Sequence, residues 1–381
     1  MSMNNKYTIL VSIFAFLAVS CNSQQPKNII LEHSPMNWKL TNIPSETGSI
    51  SFDYKFNQYH ILDTLTGFII GNNSIAEISN SVKENRPRDK QNYETILFTT
   101  IDGGISFEKS TLGKGNLKQM TSDTQKNLYL IKNTYKTDSK PEKNSILRST
   151  DLGKTWKEIS NFNTQKIRNV QFYDTLKGVV SIGNNNKKIQ LLTTIDGGQS
   201  WQELKVNKTG VNIYDVIFLN ENELYTFYKN GNLEQTVSIN FTTGNTKIHL
   251  CNLPKNYRFD SFFRDDTTDS LYSKVVNPKE LHPLMIYNHT SQQLTTYDFE
   301  NHQDESIVGV NISREYIGVL RNDNGKTFYY YSRDHGKNWT KESLPDYLAD
   351  SRPVALFGKG GVWVKSIKNL YNLQVRRSSE F

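Results

Sequence analysis

The chain has 381 residues, of which 36% are hydrophobic and 12% aromatic, with 20 Tyr, 19 Phe and only 10 Pro. This composition suits many short half-buried strands and argues against a protein built on long helices. Lysine and arginine total 45 against 38 acidic residues, a formal charge of +7 that favours anionic partners.

The N-terminus reads as a targeting segment over residues 1–20. Lys6 supplies a positive region, Ile9 to Val19 form an apolar run broken only by Ser12, and Ala18-Val19-Ser20-Cys21 follows. The run is too short to span a bilayer as a permanent helix. It resembles a bacterial lipoprotein signal, although Leu17 stands one place further from the cysteine than is usual. That resemblance implies that Cys21 is lipidated and becomes the mature N-terminus. Only Cys251 would then remain, so no intramolecular disulfide is expected and stability must come from packing. Residues 21–36 form a polar tether, opening Asn22-Ser23-Gln24-Gln25-Pro26 with no acidic cluster. In lipoproteins of this kind an acidic run marks surface export, so its absence points to an outer-membrane anchor facing the periplasm.

From residue 37 onward the chain repeats. Leu62-Asp63-Thr64-Leu65-Thr66-Gly67 parallels Tyr173-Asp174-Thr175-Leu176-Lys177-Gly178, an outer turn joining a first strand to a second. A second phrase, Ser/Thr-x-Asp-x-Gly-x-Ser/Thr/Asn-aromatic, occurs four times. It runs from Thr100 through Asp102 to Phe107, from Ser149 through Asp151 to Trp156, from Thr194 through Asp196 to Trp201, and from Ser332 through Asp334 to Trp339. The aspartates lie 49, 45 and 138 residues apart, and the last interval is three steps of 46. A fixed period of that length means a repeat fold, here four antiparallel strands per unit. Each cassette reads as a turn. Its Asp accepts backbone N–H groups, its Gly supplies a positive φ, and its aromatic residue opens the fourth strand. These residues are structural, not catalytic.

The long interval should hold two units whose turns fall near 242 and 288, at Asn240-Phe241-Thr242-Thr243-Gly244 and Tyr287-Asn288-His289-Thr290. At the C-terminus, Arg377-Ser378-Ser379-Glu380 reaches the start of another turn and then lacks a fourth strand. Asn37-Trp38-Lys39-Leu40 matches Asn338-Trp339-Thr340-Lys341, so the N-terminal strand is expected to supply it and close the ring. The expected fold is therefore all-β, a single domain over residues 37–381. It should be a seven-bladed β-propeller of four-stranded antiparallel blades, closed by the N-terminal strand.

Cassette, outer-turn phrase and lipobox together resemble the Asp-box (BNR-like) propellers. The nearest likeness is to the family of the photosystem II assembly factor and its non-photosynthetic bacterial relatives, with sialidase- and sortilin-type propellers more distant. The resemblance implies a fold and places cassettes on the face away from the usual binding side. On the opposite face, the first unit carries 17 extra residues between its second and third strands. These include Arg86, Arg88 and Lys90. The next two units contribute Lys136, Lys140 and Lys143, then Lys187 and Lys188. Three adjacent basic loops make a candidate docking surface for an acidic protein or anionic polymer.

Tyr257 to Asp266 mixes aromatics with charges and reads as a first strand and its turn. The seven histidines show no metal spacing, and neither a Gly-rich phosphate loop nor a Gly-x-Ser-x-Gly elbow occurs. A sialidase would need three carboxylate-binding arginines and an early Arg-Ile-Pro; the pairs Arg86-Pro87 and Arg352-Pro353 do not match. Glu94 and Asp215 cannot be paired as glycosidase carboxylates from the sequence. The reading is a monomeric, lipid-anchored binding or assembly module of the cell envelope. It carries no catalytic residue, metal, cofactor or nucleic acid and touches the membrane through its anchor only. A glycan-active hydrolase is the alternative.

Overall fold

A computed structural model describes residues 31–33, 39–41, 43–44, 53–63, 65–84, 93–135, 142–163, 165–183, 189–207, 211, 213, 215–230, 233–249, 251, 253–254, 256–265, 270–277, 280–297, 306–313, 316–323, 326–334, 336–344, 352–356, 361–365 and 370–374. The first blade is a meander of four antiparallel strands, Lys55–Ile61, Gly67–Asn72, Thr95–Thr100 and Glu108–Ser110. The second strand is buried along its whole length, while the fourth is mostly exposed. That gradient is what a radial stack of twisted sheets requires, since inner strands are covered on both faces and the outermost meets water. The same meander recurs over residues 116–163, 166–203, 217–249 and 258–297.

Two sheets depart from this simple repeat because the N-terminal segment enters both. Strand Lys39–Leu40 pairs antiparallel with Leu370–Gln374, setting Lys39 opposite Asn372 and Leu40 opposite Tyr371, and so supplies the fourth strand of the closing blade. Strand Leu31–His33 adds in parallel to the outer edge of Trp339–Ser343, with Leu31 opposite Trp339. The expectation of seven four-stranded antiparallel blades is thereby corrected. The chain forms six four-stranded blades, not seven, and the sheet over residues 306–343 is a mixed one of five strands. The physical reason is an exposed edge: the outer strand Trp339–Ser343 offers unpaired backbone groups, and a passing segment covers them.

The cores lie between blades. Phe68 and Ile70 of the first blade pack with Leu117, Met120 and Leu128 of the second. Val179 and Leu191 of the third pack with Phe218 and Leu224 of the fourth. The innermost strand of every sheet carries a register shift, for example between Phe56 and Gln58, Leu117 and Gln119, and Ile167 and Asn169. A bulge bends the strand and re-aims one side chain. Gln58 uses that freedom to bridge to the next blade, donating to the Met120 carbonyl at 3.1 Å and accepting the Met120 N–H at 2.6 Å. Gln119 repeats half of the bridge by accepting the Val170 N–H at 3.2 Å. Contact between Arg352–Leu356 and Lys55–Ile61 completes the ring. Helix α1, Ser74–Lys83, leaves the end of the second strand of the first blade.

Candidate functional site

Antiparallel alternation puts every cassette on one rim, because each third strand runs into it and each fourth strand runs away. The four aspartates are held alike. Asp102 accepts the Thr100 hydroxyl at 2.7 Å, the Ile105 and Ser106 N–H groups at 3.0 and 3.1 Å, and the Ser106 hydroxyl at 2.5 Å. The Thr100 hydroxyl in turn accepts the Gly104 N–H at 2.9 Å. Asp151 takes the Ser149 and Thr155 hydroxyls at 2.8 and 2.6 Å, and Asp196 takes those of Thr194 and Ser200 at 2.7 and 2.5 Å. At Asp334 the Asn338 amide replaces the last hydroxyl at 2.5 Å.

These bonds stabilise the charged carboxylate, and the acidities follow. The Thr155 hydroxyl and N–H hold Asp151 at about 2, and the Ser200 hydroxyl and N–H do the same for Asp196. Partial burial pushes Asp102 and Asp334 up. Bonds from Ser106 and Thr100, and from Asn338 and Ser332, outweigh it and leave both low. A carboxylate that is ionised and occupied in this way has no proton to give as a general acid near neutrality, and its lone pairs are spent on its own turn.

The cassette aromatics anchor the turns to the sheets. Trp339 is fully buried and donates its indole N–H to the Gly336 carbonyl at 3.1 Å. Half-buried Trp156 donates to Gly153 at 2.9 Å, and Trp201 reaches across to the Ser160 hydroxyl of the preceding blade at 2.8 Å. Phe107 is buried in the first-blade core. The outer turns use the same device. Asp63 accepts the Leu65 and Thr66 N–H groups, and Asp174 those of Leu176 and Lys177, all within 3.0 Å. Gly103 N–H then donates to the Leu65 carbonyl at 2.8 Å and Gly197 N–H to that of Leu176 at 2.9 Å, so both turns of a blade form one tip.

Of the candidate basic surface, only Lys143 is described. It begins strand Lys143–Ser149 on the rim opposite the cassettes and pairs with Glu158 at 2.7 Å across its own sheet. Arg86, Arg88, Lys90, Lys136, Lys140, Lys187 and Lys188 lie outside the described residues, as does Cys21. Cations that sequence reasoning passed over do converge at this rim. Burial lowers the pKa of Lys118, Glu142 opposes the shift, and Lys166 and Arg168 reinforce it. Lys118 sits in the innermost strand of the second blade; Lys166 and Arg168 sit in that of the third. Beside them an amide cluster joins the blades: Asn57 and Asn72 both donate to the Asn116 side-chain oxygen, at 2.7 and 2.5 Å, and Asn133 donates to Asn144 at 2.8 Å. Among the described residues no three His, Cys, Asp or Glu side chains are placed to hold a metal ion.

The model of the Sortilin-Vps10 family, described as sortilin, neurotensin receptor 3, matches residues 144–354, more than half of the chain. The chain belongs to the Sortilin-Vps10 family. No curated protein matches this family member by sequence. Among solved structures it is similar to YCF48 from Cyanidioschyzon merolae, with a TM-score of 0.51 at 13% identity over 88% of this chain and 98% of that one. The β-propeller domain of the Trilobed protease from Pyrococcus furiosus gives 0.52 at 8% identity, covering 84% and 95%. The Pyrococcus horikoshii acylaminoacyl peptidase gives 0.54 at 7% identity, covering 86% and 53%. Identities this low establish the propeller fold and nothing about activity.

Two turns of this sortilin-type propeller were barely legible. Asn240 accepts the Thr242 and Thr243 N–H groups at 3.1 and 2.8 Å, and Asn288 accepts those of Thr290 and Ser291 at 2.9 Å. An amide oxygen substitutes for the carboxylate at the two positions where the 46-residue period falls without a cassette. In the second blade Asp123 caps its own outer turn, accepting the Gln125 and Asn127 N–H groups at 2.9 Å and the Tyr129 hydroxyl at 3.0 Å.

Proposed function

We propose that the chain is an Asp-box propeller lipoprotein, akin to the family of the photosystem II assembly factor and its bacterial relatives. In this reading it is anchored at Cys21 in the cell envelope and acts as a non-enzymatic binding or assembly module. Its ligand is an acidic protein or an anionic polymer, taken up on the rim opposite the cassettes. The observation that carries this reading is the convergence of Lys118, Lys166 and Arg168 there, between strand ends that bracket the Lys- and Arg-rich stretches 85–92, 136–141 and 184–188. Clustered like charge raises the local potential and speeds the encounter with anions. Membership of a family named for a receptor agrees with a binding role.

The test is capture from detergent-solubilised native membranes by the purified chain, with bound proteins and polymers identified by crosslinking and mass spectrometry. Charge reversal at Arg86, Arg88 and Lys140, and separately at Lys166 and Arg168, should abolish capture of the same species at low salt. Unchanged capture by both variants would overturn the reading. Turnover of a sialoside or xyloglucan reporter, lost on replacing a carboxylate of that rim, would put a glycan hydrolase in its place.

A further inference from the structure

Among the described residues seven large hydrophobic side chains are exposed, and six of them crowd onto the cassette rim. They are Leu65, Ile101, Ile105, Leu152, Leu176 and Ile195, with 41–72% of their surface open to water. They belong to three consecutive blades and alternate between outer turns and cassettes, whose backbones are joined at Gly103 to Leu65 and Gly197 to Leu176. Nothing in the turn chemistry asks for apolar residues there. The position before the cassette aspartate is Ile101 and Ile195 in two copies but Thr150 and Arg333 in the others. In all four the Ser or Thr hydroxyl accepts the same glycine N–H, so the isoleucines are not a requirement of the turn. An apolar cluster that folding does not explain is the mark of a contact surface.

A second, independent observation says what lies against it. Strand Leu31–His33 runs parallel to Trp339–Ser343, and Leu31 sits beside Trp339, the residue that ends the Asp334 cassette. Leu31, where the described chain begins, therefore stands at the cassette end of that sheet. Ahead of it lie residues 1–30, which contain the apolar run Ile9 to Val19 and Cys21. Ten steps of chain lead from Cys21 to Leu31, a reach of about 35 Å at full extension. An attachment at Cys21 would thus be tied to the cassette end of that sheet, within that reach of Leu31. Exposed Lys154 stands on the same rim among the tips, as does Lys126 beside Asp63. The cassette carboxylates are bonded within their own turns, and apolar side chains with lysines among them suit an interfacial membrane contact.

We propose that the cassette rim docks on the bilayer: the six apolar tips of blades one to three enter the headgroup boundary and the neighbouring lysines meet anionic lipid phosphates. The cationic rim then faces away from the membrane, open to the partner. The docking rests on the membrane attachment argued above but not on any partner, so capture and docking can fail separately.

The experiment reconstitutes the full chain in vesicles of phosphatidylethanolamine and phosphatidylglycerol, with an environment-sensitive fluorophore on Ile101→Cys, Ile195→Cys or, on the opposite rim, Lys83→Cys. Labelling of the unsubstituted chain gives the background from its own cysteines. Brominated lipids should quench the labels at 101 and 195 several-fold more than the label at 83. Equal quenching at all three positions in a chain that floats with the vesicles would overturn docking while leaving the anchor in place; a chain that does not float would overturn both. As a second variant, Ile101→Ser with Ile195→Ser removes only exposed side chains. It should keep the circular dichroism spectrum and abolish quenching of a label at Leu152→Cys. Retained quenching there would refute the role given to the isoleucines.

Discussion

Trp339 is the cassette residue whose loss should cost most. It is 1% exposed and packs among Leu284, Tyr297, Val310, Ile317, Val319 and Tyr330, with the Tyr297 ring edge-on at 5.6 Å and 73°. Trp339→Ala empties that site, for which large-to-small aromatic changes cost about 3–5 kcal/mol. Trp339→Phe keeps most of the volume and forfeits the indole bond to the Gly336 carbonyl, about 1 kcal/mol. Trp156 makes the equivalent bond to Gly153 but is only half-buried, so Trp156→Ala should fall between the two, about 2 kcal/mol. Urea unfolding followed by circular dichroism reads the totals. Hydrogen exchange on Lys326–Ser332 reads the local effect, which matters because ring proteins need not unfold as one unit. The expected order of cost is Trp339→Ala, then Trp156→Ala, then Trp339→Phe. If Trp339→Ala costs no more than Trp156→Ala, burial is not what ranks the cassettes and the account of them as anchors fails.

Asp151 and Asp196 are held at about 2 against an ordinary 3.8, so their contribution is complete above about pH 4 and lost as pH falls toward 2. Asp151→Asn with Asp196→Asn should lower the melting temperature at pH 7, and the gap to the parent should close over that window; a constant gap refutes the linkage. His60 is half-buried with its ring stacked on Phe68 and its Nε2 enclosed without a hydrogen bond, and desolvation lowers it to about 4, so stability is full above about pH 6.5 and falls as the unfolded chain takes up a proton toward pH 4. His60→Phe should flatten thermal stability across that range, and an unchanged slope counts against it. Gly336 and Gly113 both have positive φ, but a Cβ on Gly336 would lie 2.1 Å from the Tyr297 ring whereas Gly113 opens on nothing nearer than the Lys132 amine at 3.7 Å. Gly336→Ala should cost about 3 kcal/mol or more and Gly113→Ala about 1, in denaturant unfolding, and equal losses would mean the ring yields. Ile43, 8% exposed in the first-blade core, should cost about 2–3 kcal/mol as Ile43→Ala, read as a shift in urea midpoint at constant slope.

The cassettes were legible because their chemistry is local. Thr194, Asp196, Gly198 and Ser200 satisfy one another within seven residues, so the pattern survives in the sequence without reference to the rest of the fold. The strand at Lys39–Leu40 was legible by comparison with Trp339 and its neighbours, since both start a fourth strand. Leu31–His33 was not: three residues added in parallel to an edge carry no alternation, and only the tertiary contact decides their place. Helix α1 was hidden for another reason. Ile75, Ile78 and Val82 have helical spacing, but the charges that follow Lys83 drew the whole insert into a loop reading. The apolar rim could not be read at all, because Ile101 and Ile195 look like strand residues until their exposure is known.

The way the ring closes ties these points together. Lys39 and Leu40 offer only two paired positions on the closing blade, too few to hold it by backbone bonding alone. The same segment continues through buried Thr41 to Ile43, which packs with Tyr54, Ile69 and Phe98 of the first blade, so one short stretch crosses from the last blade to the first. Leu31–His33 fixes its other end on the five-stranded sheet. Leu31–His33, Lys39–Leu40 and Ile43 thus touch three neighbouring sheets, and the edge pairing that spoiled the simple blade count is one end of the clasp. Because the strand is parallel, the clasp also has a direction, with Leu31 at the cassette end of the sheet and the rim of Lys118, Lys166 and Arg168 at the other. Ring closure and the five-stranded sheet are therefore consequences of one stretch of backbone, whose described strands Leu31–His33 and Lys39–Leu40 cap two neighbouring sheet edges.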